Sequence, residues 1–297
     1  MTALRARLNA ALVGLAIGLV PVLASAGIGF GPAGGAPGLR SQPVPTGEIA
    51  PAVVERSTAF AASVAPQHSR PFGRSYGQWV VAWWRWALGT PAARSPLLEP
   101  DSTDCGAGRQ PDRVRFLGGT FTGGASDPPV RRRCTVPAGT AFFLPVLNAV
   151  WASTPEPNPG ACPTADPWYG SRPGDPAYRL FLQQIYRPAG VDPHNPKGSL
   201  TLAIDGRKVA GVQDWYLRSN VFFDALLPDA NVFDALFGVD CYGRIKLSPN
   251  VGYGYHAFVY PLPPGHHTIR WTADATLPLL GALHQDVIYH VTVLPRP

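Results

Sequence analysis

Residues 76–89, YGQWVVAWWRWALG, place Trp79, Trp83, Trp84 and Trp86 within eight consecutive positions, and the folding of this segment sets the reading of the rest. Ser75 precedes Gln78 by three residues. At that spacing a serine caps the N3 amide while the glutamine side chain bonds back to the cap. Gly89 stands at the far end and Pro91 just beyond, where helices stop. The spacing predicts a helix over 76–88. At about 100° per residue, Tyr76, Trp79, Val80, Val81, Trp83, Trp84, Trp86, Ala87 and Leu88 cover more than half of its circumference, leaving Gln78, Ala82 and Arg85 as a narrow stripe. Each indole can bury about 200 Å², so four wet ones would forgo several kcal/mol apiece. The helix is expected to fill a core rather than form a stacking or membrane-docking face.

The same region spells Gly73-Arg74-Ser75-Tyr76-Gly77, the letters of a serine-hydrolase nucleophile elbow. An elbow needs a strand directly before the serine. Here the preceding residues are PQHSRPF, and before them a Pro- and Gly-rich stretch, so Ser75 is read as a cap.

Working towards the N-terminus, Arg5 and Arg7 precede an apolar run from about Ala10 to Leu23 and then Ala24-Ser25-Ala26. That pattern predicts a secretory signal over 1–26, cleaved near Ala26, and hence a secreted or periplasmic protein. No later stretch is apolar over the length a transmembrane helix needs, so none is expected in the mature chain. Twelve of the twenty-five residues from Gly27 to Pro51 are Gly or Pro, and 27–70 is read as a flexible leader. Residues 71–297 are assigned to one globular domain.

Without the two signal arginines, 23 basic residues face 19 acidic ones, a formal charge of +4. Apart from Arg131-Arg132-Arg133 the basic residues are scattered, which argues against a nucleic-acid partner. Cys105, Cys134, Cys162 and Cys241 make an even count in an exported chain, and of the three pairings they allow, 105–134 with 162–241 is preferred. No Cys-x-x-Cys occurs, so neither a structural metal nor another cofactor is expected.

Towards the C-terminus, 114–121, 131–136 and 141–152 read as strands, the last either buried on both faces or bent at Pro145. Residues 153–176 read as a long loop, and Asp175-Pro176 opens an amphipathic helix that stops before Pro188. Leu200, Leu202 and Ile204 alternate up to Asp205-Gly206, the strongest hairpin signal in the chain. Residues 220–226 recur as 231–236, and both copies are read as short helical turns begun by asparagine. Alternation returns in YGYHAFVY, HHTIRW and DVIYHVTVL, with Val287, Tyr289, Val291 and Val293 on the core side. Short strands between Pro/Gly turns predict a mainly β chain: an antiparallel sandwich or jelly-roll-like domain with the buried tryptophan helix and short helical insertions.

The candidate ligand-binding residues are His256, His267, His284 and Asp286. His284 and Asp286 share a strand face, and with His256 or His267 from a neighbour they would form a two-histidine, one-carboxylate set. The alternation of His267 with Ile269 and Trp271 favours instead a buried, hydrogen-bonded ring. His284 and His290 share that face too, but lie about 20 Å apart along a strand.

Three segments, YGQWVVAWWRWALG, CTVPAGTAFFLPVLN and PLPPGHHTIRW, resemble those of a group of exported bacterial proteins of unknown function. The resemblance implies that helix, cysteine-bearing strand and C-terminal hairpin form one unit, and it carries no activity. The expected function is a non-catalytic binding module for a glycan, lipid or protein of the cell envelope. The alternative is a secreted hydrolase with a loop-borne carboxylate or histidine site.

Overall fold

The computed structural model describes residues 63–98, 105–120, 129–153, 199–219, 222–240, 242–277 and 281–296. Helix α1 spans Tyr76–Gly89 and is followed by β1 (Val114–Phe116), β2 (Val130–Pro137), β3 (Ala141–Ala152), β4 (Ser199–Ile204), β5 (Arg207–Lys208), β6 (Tyr216–Arg218) and β7 (Phe223–Leu226). The short α2 (Val232–Phe237) precedes β8 (Lys246–Val259), β9 (Gly265–Leu277) and β10 (Gly281–Leu294). Sheet A has the order β1-β3-β8-β6, with β7 also on β8; sheet B has the order β2-β10-β9-β4-β5. The chain is mainly β, as its pattern predicts.

Period-two alternation builds the sandwich. Val130, Cys134 and Val136 of β2, Leu200, Leu202 and Ile204 of β4, Ile269, Trp271 and Ala273 of β9, and Val287, Tyr289, Val291 and Val293 of β10 all point inward. Phe142, Leu144 and Val146 of β3 and Tyr255, Ala257 and Val259 of β8 meet them from sheet A. Both expectations for β3 hold together. It is buried on both faces, with Ala141 and Phe143 turned the other way, and its register shifts between Pro145 and Leu147. Proline has no amide to give to the ladder, so the irregularity falls where the hydrogen bond would be missing.

Helix α1 begins at the expected box: Ser75 Oγ accepts from Gln78 N at 3.3 Å, and Gln78 Oε1 accepts from Ser75 N at 2.9 Å. Its last turn closes through Thr90, whose hydroxyl donates to the Trp86 carbonyl at 2.7 Å, with Gly89 still helical. All four tryptophans are buried. They do not lie between the sheets, however. They pack on the outer face of sheet A against Phe116, Phe143 and Phe258, forming a second core and an α/β/β stack. Gly252 of β8 makes the contact close, since a Cβ there would stand 2.4 Å from Trp84 Cδ1.

Other expectations need correction. The sheets are mixed, because β1 pairs parallel with β3 and β2 parallel with β10. Alternation specifies which face a strand buries and is silent about its neighbour. The fold also starts before residue 71: Val64 bridges Val259, and Ala65 N donates to the Phe258 carbonyl at 2.8 Å. The repeat splits in two. Asn231 caps α2 by accepting from Phe233 N and Asp234 N, and Gly238 ends it in the left-handed region. In the first copy Phe223 and Ala225 are buried by pairing along β8, giving β7, a strand. There the long neighbour β8 overrides the local signal.

The Asp205-Gly206 turn forms as expected, with φ of 51° and 76° at its two residues. The 105–134 disulfide is present, with Cα atoms 5.2 Å apart. The proposed 162–241 pair, the 153–176 loop beyond Ser153 and the 176–187 helix lie outside the described residues.

Candidate functional site

Helix α1 covers the outer face of sheet A, whereas the outer face of sheet B carries a grid of polar side chains. Because the inward residues of β2, β4, β9 and β10 are fixed by the core, their alternating partners must face out. Strand pairing aligns these partners into rows: Ser199, Asp274 and His284; Thr201, Thr272 and Asp286; Ala203, Arg270, Ile288 and Arg131; Thr268, His290 and Arg133; His266, Thr292 and Thr135. All are exposed or half-exposed except Asp286 and Ile288.

The rows are joined by side-chain bonds. Ser199 Oγ donates to Asp274 Oδ2 at 2.9 Å, and His284 Nδ1 closes on Asp274 Oδ1. Partial burial pushes the Asp274 carboxyl up, but the bonds from His284 and Ser199 and the nearby His284 charge together hold it below the usual carboxylate range. The Thr201 and Thr272 hydroxyls meet at 2.6 Å. Arg270 grips Asp286 in a fork, Nε to Oδ1 at 2.9 Å and Nη2 to Oδ2 at 2.6 Å, which raises the guanidinium above its ordinary value.

At one end of the grid lies an open depression of about 550 Å³, lined by Asp205, His266, His267, Thr268, His290, Val291 and Thr292. Asp205, brought there by the hairpin turn, is already committed: its carboxylate accepts from Thr268 N at 2.8 Å and lies 2.8 Å from His267 Nδ1. His266 Nδ1 lies 3.2 Å from Thr292 Oγ1, which leaves its other nitrogen to the depression. Arg133 stands directly beside His290 in the parallel register. The depression thus offers two imidazoles, two hydroxyls and a flanking guanidinium.

The four sequence candidates are not brought together. His284 and Asp286 do share the outer face of sheet B, but each is bonded to a different residue of β9. His267 lies on the inward row at the end of the sandwich, held between the Asp205 carboxylate and the Pro263 carbonyl, each at 2.8 Å; it is hydrogen-bonded as its alternation predicts, but half-buried rather than buried, because the row ends at the open depression. His256 is in sheet A. It is fully buried against the second core, its ring stacked on Phe143 with centroids 5.6 Å apart. Burial lowers its pKa to about 3, against a smaller opposing pull from the Gly254 carbonyl. Among the described residues, no group of three or more His, Cys, Asp or Glu side chains is placed to hold a metal ion.

Asp274 and the outward arginines of β2 are not among the sequence candidates. The signal was present, since Val130, Cys134 and Val136 fix the parity that puts Arg131 and Arg133 outside and Arg132 inside. Arg132 is indeed buried, bonded to the Tyr289 hydroxyl at 2.8 Å and to the Gly119 carbonyl at 3.1 Å. It ties the 118–119 segment to sheet B and is unavailable to a ligand.

Compared with protein-family models, curated proteins and solved structures, the chain has no match in any of the three.

Proposed function

We propose that this chain is an exported, non-catalytic binding module that holds an acidic glycan of the cell envelope against the outer face of sheet B. Export rests on the signal pattern of 1–26, and the surface rests on one observation: α1 occupies the outer face of sheet A, while that of sheet B presents hydroxyl, imidazole and guanidinium groups in register around an open depression. Hydroxyl-rich ligands are met by just such arrays of donors and acceptors. Arg131 and Arg133, both exposed, would select acidic groups, because a guanidinium offers paired donors to a carboxylate or sulfate.

A thermal-shift and calorimetric panel of acidic and neutral oligosaccharides tests this reading. Saturable binding of an acidic member, weakened at least tenfold by Arg133→Ala with His290→Ala, is expected. Equal binding by that double variant would remove the surface from consideration.

The hydrolase alternative has one observation in its favour, the Asp274–His284 pair, in which a carboxylate orients an imidazole. Ser199, however, donates to the aspartate and not to the ring, so no base is aimed at that hydroxyl. The pair is also half-exposed on an open sheet, with nothing to exclude water. Turnover of a glycoside or ester panel, lost in His284→Ala, would favour this alternative.

A further inference from the structure

The tight turn before α1 gathers a second cationic surface, far in character from the grid on sheet B. Residues Pro71–Gly73 form a single 3-10 turn in which Phe72 adopts φ 53°, a left-handed conformation that bulky side chains avoid. The outcome is an aromatic ring that remains 37% exposed while one side rests on Phe258, with centroids 5.7 Å apart. Trp79 packs on the same Phe258 at 5.3 Å. Each ring carries a guanidinium: Arg113 lies 5.0 Å from the centre of Phe72, and Arg74 lies 4.9 Å from that of Trp79. Arg70 completes the group by donating to the Gly73 carbonyl at 3.3 Å.

Arg70, Arg74 and Arg113 are all exposed, and none of them is among the ion pairs of the described residues, although Asp112 adjoins Arg113 in the chain. The first turn of α1, which begins beside them, contains no acidic residue. Three cations without an ion-pair partner among the described residues, set around one exposed ring, present charge and apolar surface together. A soluble polyanion would use the charges and leave the ring wet; an anionic bilayer uses both, with arginines at the headgroups and the ring at their boundary with the acyl chains.

We propose that the Arg70–Phe72–Arg74–Arg113 surface docks the protein onto a membrane rich in anionic lipid. This surface is separate from the depression on sheet B, and its test does not depend on any glycan.

The chain is expressed from Gly27, which retains every described element, and sedimented with vesicles of phosphatidylglycerol and phosphatidylcholine or of phosphatidylcholine alone. Binding is expected only with the anionic lipid and is expected to weaken as salt rises. Each Arg→Gln substitution should lower the partition coefficient about fivefold, and the triple variant by about a hundredfold. Phe72→Ser should weaken binding at high salt, where the charge contribution is screened. The remote triple Arg94→Gln, Arg244→Gln, Lys246→Gln, at the opposite end of α1 and β8, removes the same formal charge and should bind as wild type. Circular dichroism confirms that each variant is folded. Equal binding to neutral vesicles, equal loss in the remote triple, or tighter binding to soluble heparin than to anionic vesicles with no effect of Phe72→Ser would overturn the proposal.

Discussion

Replacing Gly252 by alanine should pry α1 from sheet A. Gly252 of β8 lies opposite Val150 of β3 and faces the helix, and its carbonyl accepts from Ser219 N at 2.8 Å. An added methyl would stand 2.4 Å from Trp84 Cδ1, 2.6 Å from Trp84 Nε1 and 3.0 Å from Val80 Cγ1, where carbon contacts need about 3.5 Å or more. The indole cannot yield easily. It is fully buried and meets Trp83 edge-on at 4.9 Å, and Trp83 is itself fixed by its Nε1 donating to the Leu117 carbonyl at 2.9 Å. The helix must therefore lift by about an ångström, at a cost near the top of the overpacking range, about 3 kcal/mol. For a domain of this size that corresponds to a fall in Tm of roughly 6 to 12 °C. Without a clash the same change would stabilise by about 0.4 to 1 kcal/mol through the unfolded chain, so the two possibilities differ in sign. Calorimetry of wild type, Gly252→Ala, Trp84→Phe and the double variant measures the coupling. The alanine should cost about 1 kcal/mol or less once the indole is gone. An unchanged or raised Tm for Gly252→Ala, or strict additivity in the cycle, would refute the packing argument.

Acid should act through His256. Its folded pKa is depressed to about 3, while the unfolded ring titrates at 6.5, so protons bind preferentially to the unfolded chain between those values. The stability contribution is whole above pH 6.5 and is lost as pH falls, at up to about 1.4 kcal/mol per unit. Denaturant midpoints from pH 7 to 4 should flatten in His256→Phe, and an unaltered slope would show that the ring is not responsible. Tyr76→Phe removes a hydroxyl that donates to the Ala65 carbonyl at 2.6 Å and accepts from Phe258 N at 3.2 Å. Leaving both groups unpaired in the core should cost about 1 to 3 kcal/mol by urea titration. Replacing Cys105 and Cys134 by serine opens a closure of 29 residues and should cost roughly 3 to 4 kcal/mol, read as a lower Tm that no longer responds to reductant at that bond. Most of the tryptophan emission should be blue-shifted and resistant to iodide, because the four indoles of α1 and those of Trp151 and Trp271 are buried, while half-exposed Trp215 supplies a quenchable fraction.

Local chemistry was the legible part of this chain. Ser75 with Gln78, Asp205 with Gly206, and Asn231 each announce a backbone event within a few residues, and each occurs where its letters place it. The inward parity of β10 was equally plain. What the pattern could not convey was adjacency. Nothing in VRRRCTVP says that it will lie parallel beside DVIYHVTVL, because that pairing depends on how the chain returns after more than a hundred residues. The same limit hid the candidate surface. His284 stands out in the sequence as a candidate and its partner Asp274 does not, since the two meet only across the β9–β10 ladder. The apolar circumference of α1 implied a core without telling which one, and an outer layer on sheet A satisfies it as fully as a place between the sheets.

Strand β8 supplies Tyr255, Ala257 and Val259 to the sandwich and Leu247 and Phe258 to the layer beneath α1, so a single run of backbone is the party wall of both compartments. Neither can be vacated without stripping that wall. The helix is accordingly no detachable lid: its amides should exchange with solvent only through the same global opening that frees β9, and a protease should find no partly undressed form to cut.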